Sequence, residues 1–99
     1  MKNQEINDAI ASILGWISDF SEDLNAMHKA ASWLREKDYD LYRNYNDRIG
    51  TVLFVRKGGW EVFKPEAGKL EASEDLSSID APAIVRAEAF LKTLEKWRE

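Results

Sequence analysis

Apolar residues recur at steps of three and four over most of the chain, which is the spacing of one face of an α-helix. Three such stripes precede the middle of the sequence, and a fourth, the strongest, lies near its end. Gly15 and Gly50 follow the first and third stripes, where a glycine commonly ends a helix in the left-handed conformation. The pattern therefore predicts four helices, over residues 3–14, 21–34, 39–50 and 82–97.

Polar residues that can cap a helix stand at the start of the first three stripes, where a side-chain oxygen can accept a hydrogen bond from a first-turn amide. The candidates are Asn3, Ser21, and either Asp38 or Asp40. Pro82 suits the first position of the last helix, because its ring fixes a helical φ and it has no amide hydrogen to leave unpaired. These residues set the predicted starts of the helices.

The stretch 51–64 breaks the helical spacing, because β-branched and aromatic residues stand on both sides of Gly58 and Gly59. Adjacent glycines supply the positive φ angles of a tight turn, so this stretch predicts a β-hairpin. Residues 69–72 are the candidate for a third, edge strand, and the alternative is a long polar loop over 65–80.

A lone hairpin is not stable in water and needs helices to pack against. The sequence therefore predicts an α+β fold, in which a small antiparallel sheet is packed between α-helices. At 99 residues the whole chain, 1–99, is expected to form one domain.

Composition excludes several kinds of chemistry. The chain has no Cys and one His, so disulfides, cysteine-ligated metals, thiol nucleophiles and paired imidazoles are absent. We interpret that single histidine, His28, as a residue of a helix face at the edge of the core. No apolar run reaches the length of a membrane span, and the polar start does not resemble a signal peptide. We therefore expect a cytoplasmic protein with no cofactor and no bound metal.

The net charge of −4 divides unevenly along the chain. Residues 1–42 carry four positive and eight negative charges, and residues 65–99 carry five and eight. Residues 43–64 carry five positive and two negative charges, a net +3. A basic middle segment thus lies between two acidic flanks.

Two candidate binding surfaces follow from this division. In the middle segment, cations lie among aromatic residues, a combination that binds phosphates and stacks bases and also occurs at protein-binding hot spots. These residues are Arg43, Tyr45, Arg48, Arg56, Lys57 and Trp60. The alternative is that they are ordinary charges of a strand edge. The second surface is a set of helix carboxylates that could mimic nucleic acid in a basic protein groove, or could be merely solvated helix ends. It comprises Glu22, Asp23, Glu36, Asp38 and Asp40.

Four segments of the chain resemble the phage ABA sandwich domain family, in which helices cover both sides of a small sheet. They are residues 3–10 (NQEINDAI), 14–16 (LGW), 23–28 (DLNAMH) and 86–97 (RAEAFLKTLEKW). The insert between the second and third segments is shorter here than in many members. The resemblance implies a small accessory protein of phage or prophage origin acting inside a bacterial host cell. It supplies no catalytic residues to carry over.

These observations lead to two functional hypotheses. The first is a non-enzymatic inhibitor of bacterial antiphage defence, such as an anti-CRISPR protein, whose partner is a host defence protein or complex. The second is a sponge that sequesters a nucleotide immune signal, with a site of the kind that often forms between copies of a homo-oligomer. Direct binding to nucleic acid is not expected of an acidic chain. An enzyme using carboxylates alone is the least favoured class, because no catalytic motif surrounds them.

Overall fold

The computed structural model describes residues 1–58 and 81–98. These residues form four α-helices, and no strand occurs among them. The helices are α1 (Asn3–Leu14), α2 (Leu24–Lys37), α3 (Tyr39–Arg56) and α4 (Ala83–Thr93). Helix α4 packs against each of the other three helices, and α2 also packs against α3. The described part of the chain is therefore an all-α fold arranged around α4.

Helix α4 is buried on nearly every side, which is typical of a central helix. Ala87 and Ala89 are fully buried, and their small side chains let neighbouring helices approach closely. Phe90 and Leu91 fill the space between those helices and are also fully buried. The apolar stripe in the sequence predicted one buried face on this helix. Because three helices pack around α4, more of its surface is buried than that one face.

Helix α1 has the predicted bounds, and its end is the predicted one. Gly15 has φ +84° and donates its amide hydrogen to the Ala11 carbonyl at 2.8 Å, closing the helix in the left-handed conformation. The predicted N-cap is wrong, because Asn3 lies inside the helix and Lys2 takes the cap position. The amide of Lys2 donates to the Glu5 carboxylate at 3.2 Å, which satisfies one of the free donors at the start.

Helix α2 begins three residues later than the predicted start. Its N-cap is Asp23, whose carboxylate accepts hydrogen bonds from the amides of Asn25 at 2.9 Å and Ala26 at 3.3 Å. Ser21, the predicted cap, is instead buried in the α1–α2 connection and donates its hydroxyl hydrogen to Asp19. Both residue types suit the cap position, so the sequence alone did not separate them.

The predicted α+β fold is wrong, because the segment expected to begin the hairpin continues α3 as far as Arg56. Val52 and Leu53 extend the buried stripe of Tyr45 and Ile49, and α3 packs this face against α4. The free energy gained by burying that stripe outweighs the β-propensity of residues 51–56. It also outweighs the cost of placing Gly50 inside a helix, which is about 1 kcal/mol relative to alanine. The rest of the predicted hairpin and the candidate third strand lie outside the described residues.

Asp19 fastens the α1–α2 connection to α1. Its carboxylate accepts hydrogen bonds from the Ser21 hydroxyl at 2.8 Å and from the Asn7 side-chain amide at 2.9 Å. The Asn7 side-chain oxygen in turn accepts from the backbone amide of Ser21 at 2.9 Å. These bonds favour the charged carboxylate, so the pKa of Asp19 lies below its usual value of 3.8, chiefly through Ser21 and then Asn7.

The lowered pKa of Asp19 predicts a contribution to acid sensitivity. A depressed folded-state pKa stabilises the protein above pH 3.8, and this contribution is lost as the pH falls through the folded-state pKa. The Asp19→Asn variant should therefore lose less stability than the natural chain between about pH 5 and about pH 3. Urea denaturation at the two pH values measures the difference, and Asp8→Asn is the control. Equal acid sensitivity of the natural chain and Asp19→Asn would contradict the assignment.

Candidate protein-binding surface

A single residue, Asp38, joins α2 to α3 and fixes the corner between them. Its backbone amide donates to the Leu34 carbonyl at 2.8 Å, which closes α2. Its carboxylate accepts from the amides of Asp40 at 3.1 Å and Leu41 at 3.2 Å, which starts α3. The same residue thus ends one helix and caps the next, and Tyr39 is the first residue of α3 at this corner.

The surface at this corner consists of the exposed Arg35 and Tyr39 and the half-buried Tyr42, which we call the tyrosine patch. The rings of Tyr39 and Tyr42 lie 6.1 Å apart between centroids. The guanidinium carbon of Arg35 lies 5.9 Å from the centroid of the Tyr42 ring, within the range of a cation–π contact. Tyr39 is 57% exposed and is one of four large apolar or aromatic side chains that are exposed in the described part of the chain.

A continuous series of aromatic rings connects the tyrosine patch to the core. The Tyr42 ring lies 6.4 Å from that of Tyr45, and the Tyr45 ring meets Phe90 of α4 edge-on at 6.2 Å. The Trp33 ring also lies 6.3 Å from Phe90, and the Lys37 ammonium lies 5.0 Å from the Trp33 ring centroid. The exposed ring of Tyr39 and the half-buried ring of Tyr42 are therefore connected to the buried rings of Tyr45 and Phe90.

Tyr45 lies in the buried part of this series. Burial raises the pKa of its hydroxyl to about 12, and the nearby positive charge of Arg86 opposes part of that rise. The tyrosine therefore stays neutral at physiological pH. Because Tyr45 is only 1% exposed, a nucleobase in solution cannot stack on its ring.

The basic and aromatic residues expected to form one site do not converge in the described structure. Arg43 and Arg48 are both exposed on α3, but five residues of helix place them about 140° apart around its axis. Arg56 is bound to α4, and Lys57 is the exposed C-cap of α3. Trp60 lies outside the described residues.

Arg56 is part of an ion-pair cluster with two residues of α4. Its Nε and Nη2 donate to one oxygen of Glu88 at 3.0 and 2.6 Å. The Lys92 ammonium lies 3.0 Å from the other Glu88 oxygen and 5.6 Å from the centroid of the Trp97 ring. Glu88 is only 6% exposed, and its second partner, Arg56, comes from α3. This cluster holds the end of α3 against α4.

The five predicted carboxylates are all exposed but form two groups. Glu22 and Asp23 precede α2, whereas Glu36, Asp38 and Asp40 surround its end. A helix of 14 residues is about 20 Å long, so the two groups do not form one continuous face. The second group lies beside the tyrosine patch in sequence and surrounds the same corner.

Sequence reasoning did not select Arg35 or Tyr39, which the structure places in the patch. A local signal was present, because Tyr39, Tyr42 and Tyr45 recur at steps of three along a predicted helix. The step of three indicates that the rings lie near one another, but it does not show that the first is exposed and the last is buried.

Within residues 1–58 and 81–98, no group of three or more His, Asp or Glu side chains is placed to hold a metal ion. No helix in the same residues is long and apolar enough to cross a membrane. No protein-family model, curated protein or solved structure matches this chain.

Proposed function

We propose that this chain is a small non-enzymatic protein that binds a protein partner through the tyrosine patch and the carboxylates around it. The observation that carries the proposal is the exposed ring of Tyr39, held at a capped corner and backed by a series of rings that reaches the core. Tyrosine and arginine are enriched among the residues that dominate binding energy at protein interfaces.

The restraint of the patch supports this function in energetic terms. Immobilising a flexible side chain on binding costs about 0.5–1.5 kcal/mol, and a ring that is already held loses less freedom. Tyr42 is held between Tyr39 and Tyr45, and Arg35 lies over its face. The patch is thus organised for contact before a partner arrives.

The partner we propose is a bacterial defence protein or complex, which the chain would block. This choice rests on the resemblance of the terminal segments to phage accessory proteins. The sheet that the resemblance implied is absent from the described residues, so the choice of target depends on the sequence alone. Glu36 and Asp40 beside the patch favour a partner whose contact surface is basic, as nucleic-acid-binding defence proteins have.

The test measures binding to purified defence complexes at low and high salt, together with phage plating on bacteria that carry the same defence. Tyr39→Ala should weaken binding by about 30-fold, the effect of losing a hot spot of about 2 kcal/mol. Glu36→Lys should weaken it most at low salt, because it reverses a charge beside the patch. The plating of phage should fall in parallel with the affinity.

Glu22→Lys is the matched control, because it makes the same charge change at the other end of α2. It should bind like the natural chain. If Tyr39→Ala and Glu22→Lys both bind normally, the tyrosine patch is not the interface. If no defence complex binds and no defence is relieved, the proposed target class is wrong.

The alternative function, a sponge for a nucleotide signal, needs cations that converge on an exposed ring. Arg35 over Tyr42 is the described pair that comes closest to this arrangement, and it has one cation. A thermal-shift screen against cyclic nucleotides and ADP-ribose derivatives separates the two functions. A ligand at one hundred times its Kd should add about 2.7 kcal/mol of stability, and such a shift, abolished by Arg35→Ala, would favour the sponge.

A further inference from the structure

An open groove lies between α1 and the segment that follows α4, and its volume is about 690 Å³. Sites that bind small molecules usually have volumes of about 300–1,000 Å³. The half-buried side chains of Ala9, Ile13 and Trp97 supply apolar surface to the groove. None of its lining residues belongs to the tyrosine patch, so the groove is a separate surface.

Charged groups of both signs line this groove. Its five charged side chains are Glu5 and Asp8 on α1, and Glu95, Lys96 and Arg98 after α4. The ion pairs of the described residues are those that Glu88 makes, so none of these five side chains is in one. Met1 also lines the groove, and its amino group donates to the Arg98 carbonyl at 3.4 Å. Negative and positive groups are therefore present in similar number.

Glu95 stands at a backbone position that glycine usually occupies. It has φ +59°, the left-handed conformation, and no other described residue except glycine has a positive φ. The Lys96 amide donates to the Leu91 carbonyl at 2.8 Å, and the Glu95 amide donates to the Lys92 carbonyl at 3.2 Å, the two hydrogen bonds of a Schellman cap. Helix α1 also ends on a left-handed residue, but there it is Gly15. A glutamate in this conformation costs free energy that a glycine would not.

The side chain of Glu95 does not contribute to closing the helix. Both hydrogen bonds of the cap are made by backbone atoms, which a glycine would supply equally well. Residues held in an unfavourable backbone conformation cluster at functional sites. What this side chain adds is a negative charge on the groove, so the strained position and the groove point to the same place.

We propose that the groove binds a zwitterionic small molecule of the size of a dipeptide, with Glu95 as one of its contacts. The carboxylates of the groove would accept hydrogen bonds from the ammonium group of the ligand, and Lys96 and Arg98 would donate to its carboxylate. An apolar side chain of the ligand would lie against Ile13 and Trp97. A ligand of one charge would meet like charges in the same groove, which a zwitterion balances.

The first test follows the indole N–H signal of Trp97 by nuclear magnetic resonance during titration with the dipeptide leucyl-leucine. A saturable shift of this signal is expected. Acetylation of the amino end and amidation of the carboxyl end should each weaken binding about tenfold, because each removes one charged hydrogen-bonding group. The absence of a saturable shift, or equal binding of the three peptides, would overturn the proposal. Weakening by only one modification would reject the zwitterionic class.

The second test separates the charge of Glu95 from its backbone strain. Glu95→Gln removes the charge and keeps the left-handed residue, so the affinity for leucyl-leucine should fall about tenfold with Tm unchanged. Glu95→Gly removes both, so the affinity should fall equally while Tm rises by about 4 °C.

Glu22→Gln is the matched control for these variants, because it makes the same change at an exposed carboxylate outside the groove. It should bind leucyl-leucine like the natural chain. Normal binding by Glu95→Gln would show that Glu95 is not a contact, and the proposal would fail. The result does not depend on the tyrosine patch, so either proposal can fail alone.

Discussion

Replacing Phe90 with alanine is expected to lower the free energy of unfolding by about 4 kcal/mol. The ring of Phe90 is fully buried and contacts those of Trp33 in α2 and Tyr45 in α3, so its removal leaves a cavity where three helices meet. The cost is a large part of the 5–15 kcal/mol that typically holds a domain together.

Urea denaturation monitored by tryptophan fluorescence measures this effect, and thermal unfolding should show Tm lower by about 15–30 °C. Tyr39→Ala is the control, because it removes a ring from the exposed end of the same aromatic series and should cost no more than about 0.5 kcal/mol. A Phe90→Ala loss below about 1 kcal/mol would show that Phe90 does not support the packing described.

Glu88→Ala is expected to cost about 2 kcal/mol. The carboxylate is buried and bridges Arg56 of α3 to Lys92 of α4, so its loss leaves two cations without their shared partner. Loss of a buried ion-pair partner costs about 3–5 kcal/mol when the remaining charge stays buried. Here the side chains of Arg56 and Lys92 are 37% and 30% exposed and can turn toward water, which reduces the cost.

A double-mutant cycle with Arg56→Ala isolates the contact between α3 and α4. The coupling energy should be about 1 kcal/mol, because the two side chains share two hydrogen bonds. Glu36→Ala, a change of the same type at an exposed position, should be nearly neutral. Strictly additive losses for Arg56 and Glu88 would mean that the pair does not hold the end of α3.

The four helices could be predicted from the sequence because their signals are local. The apolar stripe of α1, closed by Gly15, predicted both of its bounds, and these are confirmed. Caps were harder, because Ser21 and Asp23 suit the same role and only the packing of the connection decides between them. Local chemistry thus located the helices and left some ends uncertain by a few residues.

The error at residues 51–56 has a different origin. A run of β-branched and aromatic residues favours a strand locally, but Val52 and Leu53 also continue the helical stripe of Ile49. Which pattern prevails depends on what covers the face, and the cover is α4, more than 25 residues later in the chain. A stretch of sequence that ends at the predicted turn contains no information about α4.

The candidate site could be predicted only in part from the sequence, for a similar reason. Charge counting grouped Arg43, Arg48 and Arg56 by their nearness in the chain, whereas the helix separates the first two around its axis and α4 engages the third. The tyrosine patch instead depends on the one-residue corner at Asp38, which brings the end of α2 beside the start of α3. That geometry follows from Asp38, which ends α2 and also caps α3. The distribution of charges along the sequence does not reveal this corner.

The central position of α4 also governs the order of events during synthesis. The three earlier helices leave the ribosome with the apolar faces that contact α4 uncovered, because α4 follows all of them in the chain. Until it arrives, residues such as Ile10, Ile49 and Val52 remain exposed to other unfolded chains and to chaperones. Productive folding of the described helices therefore waits for α4, and slow translation before residue 83 would lengthen the period in which the chain is prone to aggregate.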